Sequence, residues 1–212
     1  MSITRNLAAA VATLAVAAPA ASAATTSHHG DVLEFGRLTN ISGSAGNDGS
    51  TFAKAFVGDK GSHVIYTDNL TGALKSESAV SPKVWKDFQA STNTLTLRDG
   101  FDEPLVQTPA EEAKYFQQGV DEGCFVKTGS ANGLDHYKMV DQPQIPCADN
   151  PDTKVDVDVD QRTGYVIQRI TSVGTFRQAE SLAYVKEHDE PGAKKLLKLA
   201  PHPGAKVVDE RS

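Results

Sequence analysis

Apolar and polar residues alternate in short segments along this chain, and turn residues separate the segments. Val155, Val157 and Val159 alternate with Asp156, Asp158 and Asp160, and Leu95 and Leu97 alternate with Thr94, Thr96 and Arg98. Leu182, Tyr184 and Lys186 stand against Ala183 and Val185. A period of two sends successive side chains to opposite faces of a strand. Residues 62–67, 83–88, 124–128, 134–140 and 165–170, rich in β-branched and aromatic residues, complete the set of predicted strands, with an extended piece running through Val80. Residues 42–50 are small and polar, with an Asn47-Asp48-Gly49 turn signal, and predict a connection between strands.

The turns repeat one design. Asp68-Asn-Leu-Thr-Gly72 and Asp160-Gln-Arg-Thr-Gly164 share Asp-x-x-Thr-Gly, and Gln89-Ala-Ser-Thr-Asn93 is a variant of it. An Asp in that place accepts hydrogen bonds from backbone N–H groups two residues on, and Gly or Asn supplies the left-handed residue that a bulged hairpin needs. Asn132-Gly133 predicts a fourth hairpin. Two helices interrupt the strands. Thr108, Pro109 and Glu111 form a capping box with proline at the first helical position. Ala113, Phe116 and Val120 then recur at helical spacing until Gly123. A shorter helix is expected from 191 to about 199, with Leu196, Leu197 and Leu199 apolar, and 205–212 reads as a tail. The fold class is α+β, mostly β: a curved antiparallel meander sheet with one inserted helix and a short C-terminal helix.

The first residues change the picture. Arg5 precedes the run from Leu7 to Ala18, all Leu, Ala and Val except Thr13, then Pro19 and Ala21-Ser22-Ala23. This is the pattern of a cleavable signal peptide, cut after Ala23 or Ala24; the apolar run is shorter than the roughly 20 residues that span a bilayer. The expected organisation is therefore signal peptide 1–23, flexible N-terminus 24–30, one β-rich domain 31–200 and tail 201–212. The protein is expected to be secreted or periplasmic, and not membrane-spanning after cleavage. In such a compartment the only two cysteines, Cys124 and Cys147, are expected to pair. With 27 acids against 21 bases, the surface is expected to repel nucleic acid and anionic lipid headgroups.

Candidate chemistry is sparse, and no catalytic residue, metal ligand or cofactor site is expected. Asp156, Asp158 and Asp160 lack the glycine and glutamate of a calcium loop, since Gln161 and Ile167 stand in those places. They read as a solvated strand face that guards against edge pairing. His28-His29 belongs to a polar N-terminus. His63, His136, His188 and His202 have no metal-ligand spacing. Trp85, Phe88, Phe125, Tyr137 and Phe176 are core candidates, with cavity lining as the alternative. Asn40-Ile-Ser42 and Asn69-Leu-Thr71 match the glycosylation acceptor pattern.

The order of these units carries a resemblance. A strand, Asp68-x-x-Thr-Gly72 and a strand precede the helix capped at Thr108. The Asn132-Gly133 hairpin follows, then Val155-Asp-Val-Asp-Val-Asp-Gln-Arg-Thr-Gly-Tyr-Val166. This succession resembles the LolA-like superfamily of periplasmic lipoprotein carriers, which includes lipid-binding lipoproteins and an envelope-stress sensor subunit. The segment from Leu197 to Lys206 resembles the ends of some uncharacterised exported bacterial proteins of this build. The resemblance implies a half-barrel that wraps helices and leaves an apolar cleft. It brings no binding residues with it. Three functions follow as expectations: a non-enzymatic binder of an apolar ligand such as a lipid, an interaction module for an envelope protein with a filled core, and a hydrolase with an unrecognised site.

Overall fold

The computed structural model describes residues 32–43, 48–140, 147–148 and 150–212. The residues expected to form a signal peptide, 1–23, and His28, His29 and Asp31 lie outside them. Twelve strands form one sheet: β1 (Val32–Ser42), β2 (Gly49–Gly58), β3 (Gly61–Asp68), β4 (Leu74–Ser81), β5 (Val84–Gln89), β6 (Thr94–Asp99), β7 (Phe125–Ala131), β8 (Leu134–Met139), β9 (Thr153–Asp160), β10 (Val166–Val173), β11 (Phe176–His188) and β12 (Lys206–Asp209). The helix α1 (Pro109–Asp121) sits between β6 and β7 in the chain. The strand order is β12-β6-β5-β4-β3-β2-β1-β11-β10-β9-β8-β7. Two antiparallel meanders, β1 to β6 and β7 to β11, are thus joined edge to edge by β1 against β11. The result is an open, curved, half-barrel sheet.

The turns do what their residues dictate. In the first, Asp68 Oδ1 accepts hydrogen bonds from the N–H groups of Leu70 and Thr71 and from the Thr71 hydroxyl. Asp160 Oδ1 does the same with Arg162 and Thr163. Gly72, Asn93 and Gly164 all take positive φ, and the register slips beside the two Asp turns, at Tyr66/Thr67 and Val166/Gln168. The capping box is complete at Thr108 and Glu111. Cys124 and Cys147 are disulfide-bonded.

The sheet buries apolar side chains on both of its faces. On one, α1 lays Phe116 against Val157, Val159, Val166, Phe125 and Tyr137. Beside it Leu105 and Val106, from the loop before α1, cover Leu33, Phe35, Ala55 and Val64. Between the two clusters Glu112 of α1, 5% exposed, is paired to both Arg37 of β1 and Arg169 of β10. On the opposite face the chain after β11 packs Ala193, Leu196 and Leu197 on Val32, Phe56 and Ile65.

Three expectations need correction. The segment near 191–199 is a short 3-10 helix, Ala193–Leu197, started by Gly192 at φ 99°. The stretch read as a tail contains β12, which pairs in parallel with β6 along Lys206–Asp209. Strand β9 is interior, flanked by β8 and β10, so its carboxylates guard no edge. Asp156 and Asp158 instead meet Lys138 and His136 across the strand pair, at 3.7 and 2.7 Å, and Asp160 holds its turn. Charges directly opposite one another stabilise a strand pair where they are of opposite sign.

Candidate functional site

The sequence singled out two site residues, and the structure bonds them to each other: Cys124 and Cys147. The histidines that look scattered in sequence converge with carboxylates. His63 on β3 and His202 near the C-terminus meet on Glu77 of β4, at 2.7 and 2.9 Å. Glu77 is 3% exposed. Its Oε1 also accepts the Ala200 N–H at 2.7 Å. The other ring nitrogen of His63 donates to the Leu196 carbonyl at 2.7 Å. Phe88 lies flat on His202, ring centroids 3.6 Å apart, and Phe56 stacks on His63. A buried carboxylate is tolerated where its lone pairs are filled, as they are here. Three of these bonds reach residues 196–202, so the network fastens the C-terminal segment to the sheet.

A second network holds the start of that segment. His188, the last residue of β11, lies between Glu34 at 2.7 Å and Glu190 at 3.0 Å. Tyr184 donates its hydroxyl proton to Glu34 at 2.8 Å. Hydrogen bonds to Glu34 and then Glu190 raise the His188 pKa above its ordinary value, while burial opposes them. For Glu34, burial alone would raise the pKa, but bonds from His188 and Tyr184 and the charge of Lys54 outweigh it and bring the carboxyl below its ordinary value. Burial, then the bond to Glu34, pushes the Tyr184 phenol up. Both networks are closed by bonds within the chain, and among the described residues no group of His, Cys, Asp and Glu is arranged to hold a metal ion.

The segment so fastened forms one wall of a cleft of about 480 Å³. The rest of its lining comes from β4, β5 and the β2–β3 turn. Its apolar lining includes Ala79, Val84, Leu197 and Leu199. Lys60, Lys86, Lys194 and Lys198 also line it, with Asp59 as the only acid among the lining residues. Asp59 is taken up by Lys194 at 3.8 Å. Cross-strand pairing places Ala79 opposite Lys86, on the face away from α1. The cleft therefore lies on the face of the sheet opposite α1. The α1 face is occupied by the Phe116 cluster and the Arg37–Glu112–Arg169 ion group.

The aromatics divide between the two faces. Phe88 is buried beneath His202, Phe125 and Tyr137 pack on Phe116, and Phe176 is half-buried in β11. Trp85 is capped by Arg98, 4.6 Å above its ring, and touches Phe101 edge-on. Asn40 is exposed on β1 and Asn69 is exposed in the first Asp turn. No sequence signal marks Glu77, His63 and His202 as a unit, because His63 and His202 stand 14 and 125 residues from Glu77. The lysines of the cleft come from three separate stretches of chain and are hidden for the same reason.

No family model matches the chain, and no curated protein matches it. Its fold is similar to solved structures at very low identity. An uncharacterized conserved protein from Thermus thermophilus is 9% identical over 85% of this chain and 91% of that one, with a TM-score of 0.48. A LolA superfamily protein from Nitrosomonas europaea is 10% identical over 81% of this chain and 91% of that one, with a TM-score of 0.37. The MucA/MucB complex of Pseudomonas aeruginosa matches at 9% identity over 80% of this chain but 56% of that one, with a TM-score of 0.43. The resemblance to the LolA superfamily is weak and concerns the fold.

Proposed function

We propose that the chain is an exported, non-enzymatic binding protein that holds an apolar ligand in the cleft between β4–β5 and the C-terminal segment. The observation that carries this reading is the cleft itself. At about 480 Å³ it falls within the roughly 300–1,000 Å³ typical of small-ligand sites. Its apolar floor is kept open although apolar surface gains about 25 cal/mol per Å² when buried. Two carboxylate–histidine networks, the Glu77 one buried, fasten its C-terminal wall to the sheet, which supports the reading. Export rests on the Arg5-to-Ala23 pattern, and a Cys124–Cys147 disulfide suits an oxidising compartment. No helix among the described residues is long and apolar enough to cross a membrane.

Native mass spectrometry of the protein purified from its own host tests this directly. The expected result is extra mass that organic extraction releases as a small apolar compound. A ligand-free mass, unchanged after incubation with apolar compounds, would overturn it. A second reading, an interaction module with a filled core, is favoured by the packed helix face and by exposed Tyr115 on α1 and Val126 on the edge strand β7. It predicts that Tyr115→Ser abolishes capture of an envelope protein and leaves the cleft untouched.

A further inference from the structure

Resting on the binding function proposed above, we infer that the occupant is a single-chain amphiphile with an anionic head group, free in solution rather than part of a bilayer. The chain as a whole is acidic, with a formal net charge of −6. The cleft reverses that sign. Four of its lining residues are lysines and one is an acid, and the acid is spent on Lys194. Lys60, Lys86 and Lys198 have no ion-pair partner among the described residues. Three unpaired cations around one apolar floor repel each other, and nothing in the fold uses them. An anion seated among them relieves that repulsion, and the floor below takes the apolar chain.

The elements supply the geometry. Lys60 stands in the β2–β3 turn and Lys86 on β5, Lys194 lies within the 3-10 helix, and Lys198 follows its end. The lysines are exposed, whereas Ala79 is buried and Val84, Leu197 and Leu199 are half-buried. The charge therefore rims the cleft and the apolar surface lies deeper. A head group at the rim with a chain pointing inward matches that order. A bilayer surface does not, because a recessed floor walled by the C-terminal segment cannot reach a flat apolar interior. Nucleic acid has no use for the floor and would meet the acidic surface around it.

Titration calorimetry tests this with decanoate, dodecanoate, the alcohols of equal chain length and dodecyltrimethylammonium, all below self-association. Dodecanoate is expected to bind more tightly than decanoate, by about fourfold for each added methylene. It is expected to bind at least about tenfold more tightly than dodecanol, a difference that shrinks as salt rises. The triple variant Lys60→Ser, Lys86→Ser, Lys198→Ser removes three exposed charges and should melt at the parent temperature. It should bind dodecanoate and dodecanol alike. As a second variant, Lys86→Glu alone should weaken dodecanoate and strengthen dodecyltrimethylammonium. If dodecanol binds as tightly as dodecanoate to the parent protein, the head-group inference fails and the binding function stands. If no amphiphile of any charge binds, both fail. Retention on phosphatidylglycerol vesicles without binding of free dodecanoate would overturn the inference in favour of a membrane surface.

Discussion

Glu77 has both carboxylate oxygens committed: Oε1 to His63 and the Ala200 N–H, Oε2 to His202. Removing one member of a buried charged group leaves its partners unsatisfied, at a cost of about 3–5 kcal/mol. Glu77→Ala is therefore expected to lose about 3 kcal/mol in denaturant unfolding and to expose residues 196–212 to proteolysis before the sheet unfolds. The His188 network predicts a pH response. Its ring gains protonated-state stabilisation in the fold, so that contribution is complete below 6.5 and is lost as pH rises through the raised pKa. The Glu34 carboxyl is lowered, so its contribution is complete above 4.5 and is lost as pH falls through the lowered value. Stability from the pair is greatest between these limits. In His188→Gln the decline of melting temperature above pH 6.5 should flatten; an unchanged decline would assign it to other groups.

At the scale of elements, the hairpins were legible because their chemistry is local. Asp68, Thr71 and Gly72 contain the groups that close their turn, and the same holds for Asp160, Thr163 and Gly164. Gly164 sits at φ 72° with open space around it, so Gly164→Ala should cost about 1 kcal/mol through backbone strain alone. The helix was legible from its capping box and apolar spacing. Glu112 was not, because a glutamate in a first helical turn ordinarily faces water, and only the tertiary placement of Arg37 and Arg169 buries it. Strand β12 was missed because Val207 and Val208 are its only apolar residues and its partner β6 lies more than a hundred residues earlier. The wall of the cleft can be moved from the sheet side. A Cβ at Gly58 would lie 2.9 Å from Leu197 Cδ1, the far end of a flexible side chain. Gly58→Ala should displace Leu197, weaken dodecanoate binding severalfold in calorimetry and leave the melting temperature nearly unchanged.

The molecule as a whole is two meanders sharing one sheet, with α1 on one face and the C-terminal segment on the other. The alternation of Val and Asp in β9 foretold which side chains point to which face. It could not foretell that the segment beyond His188 would cross the far face, since that route depends on His63, Glu77 and Glu34 meeting residues more than a hundred positions away. The disulfide ties Cys124, at the exit of α1, to the chain between β8 and β9. Closing a loop of that length is worth about 3 kcal/mol, so Cys124→Ser should lower unfolding stability by that order while leaving the cleft, on the opposite side of the sheet, able to bind. Both faces bury apolar surface, but the far face leaves space beside its packing. The measurement that tests this most directly is amide chemical-shift mapping by NMR during titration with dodecanoate. A ligand in the cleft should shift Lys60, Val84, Lys86, Lys198 and Leu199 most. Shifts concentrated instead at Phe116, Val157 and Val166 would place the ligand under α1 and contradict this placement.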